Sequence, residues 1–128
     1  MLSDTFGKND NRLKIINVLR KNYKSNTKTK IISKNLFINL LNVEDVVDAV
    51  VLISKKKIKP KKYLLKNPIN FNINKIIQKL NSSSLRKIKI KWLSNKLIKE
   101  KILSYSVLKS WKPTKSNIIS FKNSIIKK

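Results

Sequence analysis

The sequence predicts an α/β fold, because helical and strand patterns alternate along its 128 residues. Residues 42–54 and 72–80 place apolar side chains three and four positions apart, as amphipathic helices do. Residues 87–92 (KIKIKW) alternate lysine with an apolar residue, which indicates a strand with one buried face. Elements that alternate in this way are typical of a sheet covered by helices.

The first part of the chain predicts one helix and two strands. We expect the helix to be capped by Asp10 or Asn11 and to run to about Lys24. Its apolar face comprises Leu13, Ile16, Leu19 and Tyr23. Residues 25–30 are polar and predict a loop, and two short strands are expected near residues 30–33 and 36–41.

Residues 42–54 give the clearest local signal. Asn42 is a favoured N-cap residue, and Asp45 three positions later predicts an arrangement like a capping box. Acidic residues at positions 44, 45 and 48 complement the positive end of the helix dipole. The helical spacing predicts five buried side chains, namely Val43, Val46, Val47, Val50 and Val51.

The second part of the chain predicts two further strands and a helix between them. Residues 63–65 indicate a strand, and Asn67 with Pro68 indicates a turn. Asn72 is expected to cap a helix. The apolar face of this helix comprises Ile73, Ile76, Ile77 and Leu80. In the strand at residues 87–92, the side chains expected to point inward are Ile88, Ile90 and Trp92.

Two more helices are expected near the end of the chain. Residues 94–103 have a pattern compatible with a helix. Ser116 is expected to cap the last helix. The apolar side chains of that helix are Ile118, Phe121 and Ile125.

Composition excludes several classes of site. The chain has no cysteine and no histidine, so disulfides, thiol nucleophiles, Ser-His triads and the usual zinc sites are excluded. We expect no catalytic residue and no metal site in this chain. No apolar run approaches the ~20 residues of a membrane span, and the N-terminus lacks the pattern of a signal peptide. We therefore expect a cytoplasmic protein with no membrane partner.

The charge is strongly basic and uneven. The net charge is +25; residues 1–54 carry nine basic and five acidic side chains, and residues 55–128 carry 22 and one. One explanation is a polyanion partner. The other is a codon bias that fills solvated positions with lysine, which the ratio of 28 lysines to 3 arginines favours. The densest run, residues 55–62 (KKKIKPKK), is expected to be a solvated loop, with a phosphate-contacting patch as its alternative.

Three segments carry a resemblance to a known family. They are residues 2–12 (LSDTFGKNDNR), residues 38–49 (INLLNVEDVVDA) and residues 111–114 (WKPT). In their order and approximate spacing they are similar to segments of the extended short-chain dehydrogenases, the NAD-dependent epimerase/dehydratase family that acts on sugar nucleotides. The resemblance extends over nearly the whole chain, and three segments in order are more specific than any one of them.

The same resemblance implies that part of the family's fold is missing. The family holds NAD or NADP with a Gly-x-x-Gly-x-x-Gly turn, whereas Gly7 is the only glycine here. Its catalytic Tyr-x-x-x-Lys pair would lie upstream; residues 105–109 (YSVLK) have that spacing but lie at the wrong end of the chain. Residues 1–128 are therefore expected to be a substrate-side, C-terminal lobe that lacks most of the Rossmann domain. Such a chain would come from a split gene, a decayed gene or a misplaced start codon.

The resemblance also implies candidate substrate-binding residues. Asp4 occupies a position where the family has an Asn or Asp that contacts the sugar or phosphate. Asn11 and Arg12 match the end of the family's Asp-Asn-Arg segment, and Arg12 is the candidate for a diphosphate contact. Its alternative is a surface arginine at the start of a helix. Asn39 replaces an Asp of the family. Glu44 and Asp45 match paired acids of the family, although helix capping explains them more simply.

These observations predict a C-terminal fragment of a nucleotide-sugar epimerase, dehydratase or reductase that is inactive alone. No cofactor is expected in this chain, and its partners would be a nucleotide-sugar substrate and a separately encoded N-terminal half. The alternative is a small lysine-rich protein that binds nucleic acid or other polyanions non-specifically. The scarcity of arginine and the acidic start of the helix at residue 42 favour the first hypothesis.

Overall fold

A computed structural model describes residues 4–56, 63–99, 106–107 and 111–126. The four helices in this part of the chain are α1 Ile15–Lys24, α2 Val43–Lys55, α3 Ile73–Ser82 and α4 Ile118–Ile125. The strands are β1 Asp4–Phe6, β2 Thr29–Ile31, β3 Leu36–Ile38, β4 Leu40–Asn42, β5 Tyr63–Leu64, β6 Phe71–Asn72, β7 Ile90–Trp92, β8 Ile98–Lys99 and β9 Ser106–Val107.

The described strands form small sheets in which most pairs are parallel. β1 pairs with β4, β2 with β7, and β5 with β9, all in parallel. β3 lies between β6, which is antiparallel to it, and β8, which is parallel. Parallel neighbours require long crossover connections, and helices provide most of them here. The predicted α/β class is confirmed.

The main core lies where α1, α3 and α4 pack against the strands. Phe121 of α4 is fully buried, and its ring makes edge contacts with Phe6 of β1 and Phe71 of β6, with centroids 5.2 and 4.9 Å apart. The four apolar residues predicted for α3 are all buried. Because each fully buried aliphatic side chain contributes about 1.5–3 kcal/mol, this cluster is the largest apolar contribution to stability.

A second, smaller cluster lies beneath α2. It contains Leu41, Ala49 and Leu65, and Trp111 packs against it. Trp111 is thus partly buried. The segment after Trp111 is thereby held close to the start of α2.

Several predicted boundaries hold and others move. α3 is capped by Asn72 as predicted, whereas α4 is capped by Asn117 and not by Ser116. α1 begins only at Ile15 and has no side-chain cap, because Asp10 binds Arg12 instead. The prediction for Leu13 is wrong, since it precedes the helix and is 85% exposed.

One loop, one strand and one helix prediction also need correction. The expected loop at residues 25–30 ends early, because β2 begins at Thr29. The strand expected at 36–41 is split into β3 and β4 at Asn39, whose buried side chain bonds elsewhere. The helix expected at 94–103 is wrong where the structure describes it, since β8 occupies Ile98–Lys99 and residues 93–97 have no regular structure.

Two sequence features fall mostly outside the described residues. They are the basic run at 55–62, of which positions 55 and 56 are described, and the YSVLK segment at 105–109, of which positions 106 and 107 are described. Among the helices in the described ranges, none is both long and apolar enough to cross a membrane.

The largest correction concerns the apolar stripe of α2. Four of its five valines are 42–56% exposed, namely Val43, Val47, Val50 and Val51. The buried face instead carries Asp45 and Ala49, with Val46 and Ile53 partly buried beside them. Because Asp45 and Ala49 are four positions apart, they lie on one face, and turning that face inward turns the valines toward solvent.

The orientation of α2 predicts a small effect on stability for one substitution and a large loss for another. Val47→Asp should change the free energy of unfolding by about 0.5 kcal/mol or less, because Val47 is exposed. Ala49→Asp should remove about 3–5 kcal/mol, since Ala49 is fully buried and the new carboxylate would have no partner. Thermal melts followed by circular dichroism would measure both. Equal losses in the two variants would show that the valine face is buried.

Candidate functional site

A buried carboxylate connects the start of α2 to the segment before α4. Asp45 is 1% exposed and accepts hydrogen bonds from the backbone N–H groups of Thr114 at 2.9 Å and Lys115 at 2.9 and 3.1 Å. The hydroxyl of Ser116 donates to its second oxygen at 2.6 Å. The same hydroxyl accepts from the backbone N–H of Asn42 at 2.7 Å. Asp45 therefore does not form the predicted capping box; Asn42 alone caps α2, by accepting from the N–H of Glu44.

Two buried asparagines extend this network. The Nδ2 of Asn39 donates to the carbonyl of Asn67 at 2.8 Å, and the N–H of Asn67 donates to the Oδ1 of Asn39 at 2.9 Å. The Nδ2 of Asn67 donates to the carbonyl of Ser116 at 2.8 Å. Asn39 is 1% exposed and also bonds to Asn70. The structure thus places this predicted substrate-binding residue inside a network that joins distant segments.

The loop after β1 lies against the start of α2. A Cβ atom added to Gly7 would lie 2.5 Å from Cγ1 of Val43, which is closer than two non-bonded carbon atoms can approach. Valine has little rotameric freedom to move aside in a helix. Glycine is required at this position by the close approach to α2. This contact brings residues 8–12 beside the helix N-terminus.

Arg12 is held in this loop by two partners. Its Nε and Nη2 donate to the carboxylate of Asp10 at 2.8 and 2.6 Å, and Nη2 also donates to Oγ1 of Thr5 at 2.8 Å. The hydrogen bond from Arg12 holds the pKa of Asp10 well below its usual range, and Asp10 in turn raises the pKa of Arg12. Within the described part of the chain, Nη1 of Arg12 makes no hydrogen bond, so it can still donate to a ligand.

Two of the other three predicted site residues, Asp4 and Asn11, lie near this loop. Asp4 precedes the Thr5 that Arg12 contacts, and its carboxylate forms an ion pair with Lys14 at 3.1 Å. Asn11 is exposed next to Arg12. The structure therefore places Asp4, Asn11 and Arg12 around the loop after β1, whereas Asn39 belongs to the buried network.

Two adjoining grooves flank this loop. The first has a volume of about 490 Å³ and is lined by Gly7, Lys8, Asn9, Asp10, Arg12, Val43 and Glu44. The second has a volume of about 320 Å³ and is lined by Lys8, Asn42, Glu44, Lys115, Ser120, Asn123 and Ser124. Of the residues predicted from the sequence to bind substrate, these grooves contain Arg12.

The grooves also contain Lys8 and Lys115, which sequence reasoning did not select, and Glu44, which it assigned to helix capping. Lys8 and Glu44 line both grooves. Glu44 forms an ion pair with Lys115 at 2.8 Å, and this contact raises the pKa of Lys115. Lys8 follows Gly7 directly, so its place in the family-like segment was a usable signal. Lys115 is 71 positions from Glu44, and no local pattern could have joined them.

The grooves combine cationic, hydroxyl and amide groups with the carboxylates of Asp10 and Glu44. Lys8 and Arg12 are cationic, Ser120 and Ser124 offer hydroxyls, and Asn123 offers an amide. The described residues include no group of three or more side chains suited to hold a metal ion. The grooves are therefore equipped to bind a ligand through hydrogen bonds and charge.

Comparison with known proteins identifies solved structures that have a similar fold. No protein-family model and no curated protein matches the sequence. Among solved structures, RMD from Pseudomonas aeruginosa complexed with NADPH is similar over 98% of this chain, with a TM-score of 0.72 and 14% identity. The dTDP-glucose 4,6-dehydratase from Bacillus anthracis in complex with NAD is similar over 97%, with a TM-score of 0.70 and 16% identity.

A third solved structure is similar to a comparable degree. The UDP-glucose 4-epimerase from Thermotoga maritima with UDP-glucose is similar over 97% of this chain, with a TM-score of 0.66 and 13% identity. This chain has part of the extended short-chain dehydrogenase fold. It spans 45%, 41% and 43% of the three structures, respectively. The resemblance seen in the sequence and the predicted partial fold are therefore confirmed.

The network around Asp45 predicts a sharp difference between two acidic residues of α2. Asp45→Asn should lower the free energy of unfolding by about 1–3 kcal/mol, because its amide would face backbone donors and leave buried groups unsatisfied. Asp48→Asn makes the same chemical change at an exposed position and should cost about 0.5 kcal/mol or less. Urea denaturation would measure both. A similar small loss for the two variants would contradict the role given to Asp45.

The pair formed by Asp10 and Arg12 predicts a pH dependence. The pKa of Asp10 is depressed in the folded protein, so its contribution to stability is present above the ordinary value of 3.8 and is lost as pH falls through the lower folded value. The thermal midpoint of the wild type should therefore exceed that of Asp10→Asn at neutral pH, and the two should converge only in strong acid. A carboxyl resonance of Asp10 that titrates at its ordinary pKa would contradict this prediction.

Proposed function

We propose that residues 1–128 form the substrate-side, C-terminal portion of an NAD(P)-dependent enzyme of nucleotide-sugar metabolism. The observation that carries this proposal is the agreement of fold over 97–98% of the chain with enzymes whose names include a dTDP-glucose dehydratase and a UDP-glucose epimerase. A UDP-N-acetylglucosamine 4-epimerase from Methanobrevibacter ruminantium, in complex with UDP-N-acetylmuramic acid, is similar over 97% as well. Nucleotide sugars are thus the ligand class that recurs among these structures.

In this proposal, the loop after β1 binds the ligand. Arg12 is oriented by Asp10 and Thr5, which reduces the conformational entropy lost when Nη1 meets a phosphate oxygen. Charge-assisted hydrogen bonds from arginine are well suited to a diphosphate. Lys8 adds a second positive charge. Asp4 and Asn11, which lie beside this loop, would bind sugar hydroxyls.

The cofactor and the catalytic pair would come from outside this chain. The chain has a single glycine, which cannot form the turn that holds a dinucleotide in the related folds. A separately encoded N-terminal half would supply that turn. The exposed valines of α2, including Val47 and Val50 at 56% each, support such a partner because they offer an apolar face beside the candidate site. The chain alone is then expected to be catalytically inactive.

Isothermal titration with UDP-glucose and dTDP-glucose would test the ligand class. The wild type should bind at least one of them, and Arg12→Gln should raise the dissociation constant roughly tenfold or more, since charged hydrogen bonds contribute about 1.5–3 kcal/mol. Arg86→Gln is the matched control, because Arg86 lies on Tyr23, away from the grooves. It should leave the dissociation constant unchanged.

Three results would contradict this proposal. One is the absence of binding to both nucleotide sugars. Another is an equal loss of affinity in the Arg12 and Arg86 variants, which would remove the loop after β1 from the site. The third is a saturable rise in NADH fluorescence on adding the protein, which would place a cofactor site within this chain.

A further inference from the structure

The β2–β7 ladder has one face in the core and one face in solvent. Its register pairs Thr29 with Ile90, Lys30 with Lys91, and Ile31 with Trp92. Ile31 is buried, and Ile90 and Trp92 pack against the main core. Because side chains alternate along a strand, the residues between them point to the opposite face.

That opposite face begins with four exposed lysines. Lys30 lies in β2 and Lys91 in β7, and Lys28 and Lys89 directly precede these two strands. The N–H of Thr29 donates to the carbonyl of Lys89 at 2.9 Å, so the ladder continues at this end. Like charges directly across a ladder reduce stability. Among the described residues, no carboxylate lies within 4 Å of any of the four ammonium groups, so nothing in this part of the fold offsets that cost.

The next outward position on each strand is apolar. Ile32 and Leu93 are each 57% exposed. They lie side by side, because the N–H of Leu93 donates to the carbonyl of Ile31 at 2.9 Å and Ser94 Oγ donates to the carbonyl of Ile32 at 2.8 Å. Leu97, which is 58% exposed, follows a few residues later. The four lysines with Ile32 and Leu93 are called the outer face of the β2–β7 ladder.

An uncovered outer face is unusual for parallel strands. Parallel sheets are nearly always covered on both faces. Here the exposed lysines, Ile32 and Leu93 show that no described element covers the second face. This face carries unbalanced positive charge beside paired apolar side chains. A partner that covers it must therefore offer both negative charge and an apolar environment.

We propose that the outer face of the β2–β7 ladder attaches this chain to an anionic lipid bilayer. Anionic headgroups attract lysines, and apolar side chains beside them enter the boundary between headgroups and acyl chains. A nucleic-acid backbone would satisfy the lysines but would leave Ile32 and Leu93 in water. A second copy of this chain would bring another strongly positive surface against the first.

The attachment would be peripheral and reversible. It departs from the expectation of no membrane partner, which rested on the absence of a long apolar run. Attachment to the surface needs no membrane span, so it is compatible with the short helices of the described residues. Each lysine near an anionic surface contributes roughly a fivefold gain in partitioning, so the four together contribute several hundredfold at low salt. The gain in partitioning should fall as salt rises. At physiological ionic strength, dissolved ions largely screen the attraction between charges more than about 8 Å apart.

Vesicle sedimentation with the full chain would test the proposal. The wild type should bind vesicles of phosphatidylcholine with phosphatidylserine and should bind phosphatidylcholine alone far more weakly. Lys30→Gln with Lys91→Gln should lower the partition coefficient roughly 30-fold, about fivefold for each lysine. Ile32→Ser with Leu93→Ser should lower it roughly tenfold, because the apolar contact is lost.

A matched control uses two lysines on another surface. Lys75 and Lys79 are exposed on α3, and Lys75→Gln with Lys79→Gln makes the same change in net charge. The logarithm of the partition coefficient should fall in this control by less than half of its fall in the Lys30 and Lys91 variant. Circular dichroism melts should show no loss of stability in any of the three variants, because every substituted side chain is exposed. The Lys30 and Lys91 variant should melt at the wild-type temperature or slightly above it, since the repulsion between the paired lysines is removed.

Three outcomes would overturn the proposal. The first is equal binding to anionic and neutral vesicles. The second is an equal loss in the control and the ladder variants, which would reduce the effect to net charge. The third is retention of a labelled duplex DNA, with the lysine variant weakened and the Ile32 and Leu93 variant unchanged, in a protein that does not sediment with vesicles. That outcome would assign the face to nucleic acid. Nucleotide-sugar affinity, measured on the same variants, keeps this test separate from the proposed function.

Discussion

The arrangement of this fold depends on a carboxylate that must be buried. Burying a charge is costly unless hydrogen bonds replace the lost water. Within the described ranges, the donors to Asp45 all come from residues 114–116. Satisfying this requirement fixes the rotation of α2 about its axis. It also holds the segment before α4 against the start of α2. The exposed valines of α2 are a direct consequence, because they lie opposite the face that Asp45 turns inward.

The candidate site inherits its geometry from the same contact. Residues 114–116 reach Asp45, and this brings Lys115 to Glu44, the residue adjacent to Asp45. α4 then begins beside the loop after β1 and contributes Ser120 and Ser124 to the second groove. A change at Asp45 would therefore alter the second groove from a position outside its lining.

Sequence reasoning succeeded where local chemistry determines the structure. α3 has a single apolar face and an asparagine cap, and both agree with the structure. The three family-like segments likewise indicated the shared fold. The role of Asp45 could not be predicted in this way, because its partners are about 70 positions away and an acid near a helix start is also a good cap residue. The valines could not be assigned either, since a helical period locates an apolar stripe but does not say which face meets the core.

The candidate site was predictable only in part for the same reason. Arg12 and its neighbours lie in one continuous segment, so a motif could select them. Asn39 has the chemistry of a ligand contact, but its distant partner Asn67 uses that chemistry inside the protein. Lys115 enters the groove through a tertiary contact that no sequence window contains. Partners that are far apart in the chain thus explain the errors at Asn39 and Lys115, whereas Lys8 had a local signal in the segment around Gly7.

The aromatic contacts of Phe121 have a consequence for how the chain folds. Its ring meets Phe6 and Phe71, so the centre of the core joins the start, middle and end of the described sequence. Contacts between such distant positions require large loops to close before they gain any stability, and this slows folding. During synthesis, Phe6 and Phe71 must wait until α4 has left the ribosome before their packing is complete. The core around Phe121 can therefore be completed only after α4 has been synthesised.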